Sequence, residues 1–149
     1  MKALIDTNPL VSALLKPDGP SGQIFQRWRA GELELVVSPS TLTELRDVLR
    51  RPHIANKYKL SAPDIEHHLN VLRNFAEIAP GRLSLDLISA DPQDNHVLAA
   101  AVETRCSFIV SGDHHLLDLD EYQSVRILTP RDFLTLLEAN PTREAGNEA

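Results

Sequence analysis

The sequence predicts an α/β fold built around a parallel sheet. Short apolar runs rich in β-formers recur along the chain, and each is followed by a stretch of helical period, the alternation that builds parallel sheets. The length, 149 residues, is about one domain's worth, and 42% apolar with 24% charged residues is the composition of an ordinary core under a solvated surface. In chain order, a strand is expected at residues 3–6 and a helix at 8–15. A helix at 21–30 follows, with Trp28 on one stripe with Ile24 and therefore read as core or as a subunit contact. A second strand is expected at 33–37, then a helix at 40–51 with Leu42, Leu45, Val48 and Leu49 as its apolar face. A helix at 62–74 carries Ile65, Leu69 and Leu72 at near-helical spacing, and a weaker strand candidate lies at 76–79. Asp91-Pro92 reads as an N-cap followed by proline at the first helical position, opening a helix at 92–104. Strands at 107–111 and 125–128, with helices at 113–117 and 130–138, complete the pattern. From about Asn140 no apolar face is left to bury, so residues 1–138 are read as the domain and 139–149 as a flexible tail.

Composition narrows the function. No apolar run approaches the roughly 20 residues that span a bilayer, and the opening run is too short for a secretory signal, so a cytoplasmic protein is expected. A single cysteine, Cys106, excludes an internal disulfide and a cysteine-rich zinc site. Lys and Arg total 15 against 21 Asp and Glu, a net charge of −6, which argues against binding nucleic acid through bulk positive charge. It leaves open a site in which carboxylates hold a divalent cation and so present a positive surface to a phosphate. No dinucleotide fingerprint or Walker sequence can be written through Gly19 and Gly22.

In parallel α/β sheets ligands bind beyond the carboxyl ends of the strands. The first strand stops at Asp6-Thr7-Asn8, and the strand at 107–111 stops at Ser111-Gly112-Asp113. Asp94 falls on the same helical stripe as Leu98 and Ala101, which aims it at the sheet. Glu44 lies at the border of an apolar face, within reach of the same edge. Taken singly, each acid has an ordinary reading: Asp6, Asp91 and Asp113 as N-caps, Glu44 as a solvated helix residue. Taken together, four acids at one edge repel one another unless a cation joins them.

Asp6-Thr7-Asn8, Glu44, Asp91-Pro92-Gln93-Asp94-Asn95 and Ser111-Gly112-Asp113, in this order and spacing, resemble the PIN domain. The resemblance extends to Phe108-Ile109-Val110-Ser111-Gly112-Asp113 and to Ile127-Leu128-Thr129-Pro130-Arg131-Asp132-Phe133-Leu134, which are similar to the toxin subfamily of toxin–antitoxin systems. It implies a three-layer α/β/α sandwich around a mostly parallel central sheet. It also implies a Mg²⁺- or Mn²⁺-dependent endoribonuclease, an antitoxin protein as partner, and a homodimer. Carried over to this chain, the metal ligands and catalytic residues would be Asp6, Glu44, Asp94 and Asp113, with Asn8 and Ser111 orienting them. The homodimer is also expected from the stripe Ile65, Leu69 and Leu72. Pro9 and His114-His115 depart from the usual pattern, and proline is tolerated in a first helical turn.

Candidates for RNA contact are Arg46, Arg50, Arg51 and Lys57, with Lys59, Arg27 and Trp28 behind them. The pairs His67-His68 and His114-His115 are read as surface, because adjacent helical residues point about 100° apart and grip one metal poorly. A catalytically silent module that binds RNA or a partner is the alternative function, and it would be expected to have lost an acid. A phosphoaspartyl enzyme would want an acid where Asn8 stands.

Overall fold

The apolar runs form strands because they are covered from both sides, the condition under which a parallel sheet reads as continuous Val, Ile and Leu. The computed structural model describes residues 1–83 and 92–139. Among these, the strands are β1 (Lys2–Ile5), β2 (Glu34–Val37), β3 (Glu77–Ile78), β4 (Phe108–Val110), β5 (Glu121–Tyr122) and β6 (Val125–Leu128). The helices are α1 (Thr7–Leu15), α2 (Pro20–Arg29), α3 (Pro39–Arg50), α4 (Pro52–Lys57), α5 (Ala62–Phe75), α6 (Pro92–Glu103), α7 (His114–Leu119) and α8 (Pro130–Ala139). The sheet order is β3-β2-β1-β4-β6-β5, parallel throughout except for β5.

Alternation along β1 divides the core. Ala3 and Ile5 pack with Leu10, Ile24, Leu45, Leu69 and Phe133, from α1, α2, α3, α5 and α8. Leu4 packs on the other face with Val97, Leu98, Ala101 and Leu116, from α6 and α7. The expected three-layer α/β/α sandwich is therefore present. Register fixes its upper edge: Ile5 lies opposite Val110, and Val110 opposite Leu128, so β1, β4 and β6 end side by side.

Some local expectations hold and others change. Trp28 is 6% exposed and packs in the core, edge-on to Phe25 with ring centroids 4.9 Å apart. Ile65, Leu69 and Leu72 are buried against the chain's own core, so they no longer argue for a dimer. The candidate strand at 76–79 is β3, and Ala79 N–H extends its pairing by donating to the Val37 carbonyl at 3.0 Å. Neither α4 nor β5 was expected. Asp91 and the tail from residue 140 lie outside the described residues.

The α1–α2 turn is tightly seated. A Cβ built on Gly22 would stand 2.2 Å from the Pro17 carbonyl oxygen, so only glycine fits there. Gly22→Ala gains helix propensity but forces the turn apart. Overpacking of this kind costs about 1–3 kcal/mol. The variant is expected to unfold at lower urea with an unchanged m-value; an unchanged midpoint would show that the turn yields freely.

Candidate metal centre

Two strand ends and two helix starts build the site. Asp6 follows β1 and caps α1: its Oδ1 accepts from the Thr7 backbone N–H at 2.8 Å. Its Oδ2 accepts from the Ser111 hydroxyl at 2.9 Å. Ser111 follows β4, is fully buried, and its Oγ accepts in turn from the Asp113 backbone N–H at 3.0 Å. Asp113 caps α7, with Oδ1 accepting from His115 N–H at 2.9 Å. From α3, Glu44 Oε2 accepts from the Thr7 hydroxyl at 2.6 Å. Two buried residues, Thr7 through its N–H and hydroxyl and Ser111 through its hydroxyl, thus link the Asp6 and Glu44 carboxylates and the Asp113 backbone into one network. The fourth acid, Asp94, is in the first turn of α6 and only 3% exposed, on the opposite layer of the sandwich.

Capping explains part of this arrangement and not the rest. Asp6 and Asp113 are N-caps, as that reading requires. Glu44 stands mid-helix and caps nothing, and a 3%-exposed Asp94 is no solvated helix acid. Asp6 also sits uneasily as an anion. Burial pushes its carboxyl above the usual range, and the nearby negative charges of Glu44 and Asp113 push the same way, while the hydrogen bonds from Thr7 and Ser111 partly offset them.

The donor set suits a hard cation: carboxylate oxygens, each with a lone pair to spare after its hydrogen bond. Geometry limits how it is held. Among the described residues, the group of three acidic or histidine side chains whose donor atoms lie within 4.8 Å of one another is Asp113, His114 and His115. No three of Asp6, Glu44, Asp94 and Asp113 meet that limit, so in this arrangement at most two reach a common ion directly. Mg²⁺, which keeps several waters and takes one or two carboxylates, fits such spacing.

Other expected residues are placed differently. Asn8 is exposed, and its side chain makes no hydrogen bond among the described residues. The contact to Glu44 comes from Thr7 instead, a residue that sequence reasoning passed over although it stands between two candidates as a buried hydroxyl. His114 and His115 are exposed as expected, and their ring centroids lie 4.2 Å apart with the planes tilted by 36°. Arg46 and Arg50 turn away from Glu44 toward α5, where they and Arg73 pair with Glu66 at 3.1, 3.8 and 3.7 Å. Arg51 and Lys57 are exposed, with Lys57 Nζ 5.5 Å over the Tyr58 ring.

A parallel sheet carrying acids on its carboxyl edge defines a class, and the comparisons name it. The chain matches the family model described as PIN domain over residues 2–115 and belongs to the PIN domain family, whose members are generally metal-dependent nucleases. It is 27% identical over 146 residues to an uncharacterized protein of Methanocaldococcus jannaschii, across 93% of this chain and 92% of that protein. In fold it is similar to a chain in the crystal structure of VapBC2 from Rickettsia felis bound to a DNA fragment from their promoter. That match has a TM-score of 0.51 and 14% identity, over 85% of this chain and 97% of that chain. No helix among the described residues is long and apolar enough to cross a membrane.

Proposed function

We propose that the chain is a divalent-metal-dependent endoribonuclease, the toxin of a toxin–antitoxin pair, acting at Asp6, Glu44, Asp94 and Asp113. The observation that carries this reading is the pair of hydroxyls, Thr7 and Ser111, that hold the Glu44 and Asp6 carboxylates at the carboxyl edge of the sheet, with the Asp113 backbone N–H bonded to the same Ser111 oxygen. Family membership supports a nuclease, and the fold shared with a VapBC2 chain supports an antitoxin partner. A second copy of the chain and an antitoxin are the partners this reading carries, and the cytoplasm its compartment.

Mg²⁺ or Mn²⁺ bound here would supply a positive centre that lowers the pKa of water and neutralises charge on the phosphate. The chain's own part is positional. Thr7 and Ser111 hold Glu44 and Asp6 with their remaining lone pairs outward, and the Ser111 hydroxyl fixes the Asp113 backbone. A carboxylate of this group accepts the proton of the attacking water, and attack in line expels the 3′ oxygen, leaving a 5′ phosphate on the product.

Purified protein is expected to cut a labelled single-stranded RNA with Mn²⁺ or Mg²⁺, and EDTA is expected to stop it. Cleavage that continues at equal rate in excess chelator would overturn the reading. Products with 5′ hydroxyl ends would overturn the assigned direction of attack.

A further inference from the structure

The α1–α2 turn and the start of α8 enclose a cleft of about 310 Å³, separate from the carboxylate network. Its walls include Lys16 at the end of α1, Pro20 and Ser21 at the start of α2, and Thr129, Pro130 and Arg131 at the start of α8. The helices α2 and α8 are 10 residues each and both begin at this cleft. Their first-turn N–H groups lack helical partners, and their dipoles place partial positive charge at that end. No side chain caps α2, whose N-cap is Gly19, and Pro20 at its first position brings no N–H of its own, whereas α8 is capped by Thr129, whose Oγ1 accepts from Asp132 N–H at 3.1 Å.

Two further observations point to a ligand. Ser21 is only 8% exposed, yet its hydroxyl makes no hydrogen bond among the described residues. Its oxygen is not closed off from solvent, so the hydroxyl stays open to whatever occupies the cleft. Lys16 and Arg131 are exposed, and neither forms an ion pair among the described residues. In a chain of net charge −6, two unpaired cations beside the uncapped N-terminus of α2 make a local exception. The nearest acids in sequence, Asp18 and Asp132, do not line the cleft.

Its position relates it to the carboxylates. Ser111 N–H donates to the Leu128 carbonyl at 3.0 Å, so Thr129 begins one strand over from the residue that holds Asp6. Helix α1 spans the two places, capped by Asp6 at one end and Lys16 at the other. An extended polyanion lying across the carboxyl edge of β1, β4 and β6 would meet both.

We propose that this cleft holds a backbone phosphate of the RNA strand that is cut at the carboxylates, beyond the nucleotide next to the cut. The inference rests on the ribonuclease reading and adds to it where the strand lies: from the carboxylates toward β6 and α8. Ser21 donates to a phosphate oxygen, Lys16 and Arg131 neutralise its charge, and the first-turn N–H groups of α2 complete the cradle.

The test is binding of a short fluorescein-labelled single-stranded RNA to the full chain in EDTA, across a salt series. Each phosphate contact to a single strand contributes about 0.7 to the salt slope, or about 5-fold in affinity at ~0.1 M salt. Lys16→Ala and Arg131→Ala are each expected to weaken binding by about that factor and to lower the slope by about 0.7. Ser21→Ala is expected to weaken binding by about 2- to 10-fold with the slope unchanged. Arg105→Ala, at the opposite edge of the sheet before β4, is expected to change neither. In cleavage assays with Mn²⁺ the cleft variants raise KM and spare kcat. Wild type that cleaves RNA while all cleft variants bind as it does would overturn this inference alone. Wild type that neither binds nor cleaves would overturn the ribonuclease reading with it. Tighter binding of an oligoglutamate than of RNA through the same residues would assign the cleft to an acidic protein segment and overturn the proposal.

Discussion

Asp6→Asn is expected to reduce RNA cleavage by at least ~100-fold while raising the melting temperature of the metal-free protein at neutral pH. The activity loss follows from removing a charged oxygen at the centre of the network; even outer partners of metal ligands commonly cost 10–100-fold. The stability gain follows from the environment of the carboxyl. Burial raises its folded-state pKa above the ordinary value, with Glu44 and Asp113 adding like charge. An acid whose pKa is raised on folding binds more protons in the native state than in the unfolded one between the two values. Stability therefore falls as pH rises from the unfolded pKa through the folded one, and the full cost is present above the folded pKa. Asparagine carries no such charge and remains a good N-cap for α1. In EDTA the variant should melt above wild type at pH 7, and the gap should close as pH falls below the unfolded pKa of about 3.9. With Mn²⁺ the order should reverse, because the wild type gains by mass action, about 2.7 kcal/mol at one hundred times Kd, and the variant gains less. If Asp6 only caps α1, both melts coincide with and without Mn²⁺. That result would remove the metal site whatever a nuclease assay showed, since a contaminating ribonuclease cannot shift a melting curve.

How much of this was legible depends on what burial does to sequence pattern. The central strands were readable because both faces are covered, so Ala3 to Ile5 and Phe108 to Val110 appear as unbroken apolar runs. Helix α4 was not, because none of its residues is buried and no apolar stripe marks it. The β5–β6 hairpin escaped because its two-residue turn is Gln123-Ser124, both at positive φ, where Gly or Asn would have announced it. The stripe on α5 marks a covered face without naming its cover: periodicity shows that a face is covered, not by what, and here the chain's own core covers it. The acids were conspicuous because strand ends are few and carboxylates rarely turn inward. The hydroxyls that organise them were less so. Ser111 was picked out from its motif, whereas Thr7 at the first position of α1 looks like any helix start, and only its 2.6 Å contact with Glu44, from 37 residues away, distinguishes it.

That contact carries the second large effect. Thr7→Val keeps the shape of a buried side chain and deletes the hydroxyl that, among the described residues, holds Glu44. Glu44 is part-exposed, so water can replace the lost donor, and the melting temperature in EDTA should move little. Its carboxylate is then free to take other rotamers, which spoils positioning without removing charge. Cleavage is expected to fall about 10- to 100-fold, and the rise in melting temperature given by Mn²⁺ should shrink with it. Thr7→Ser restores the donor and should recover most of both. Glu44→Gln combined with Thr7→Val separates positioning from simple damage: if Thr7 acts through Glu44, the double variant is no worse than Glu44→Gln alone, because the hydroxyl then has no carboxylate left to place. Additive losses would mean that Thr7 serves α1 and not the site, and an inactive Thr7→Ser would mean that the hydrogen bond is incidental to packing.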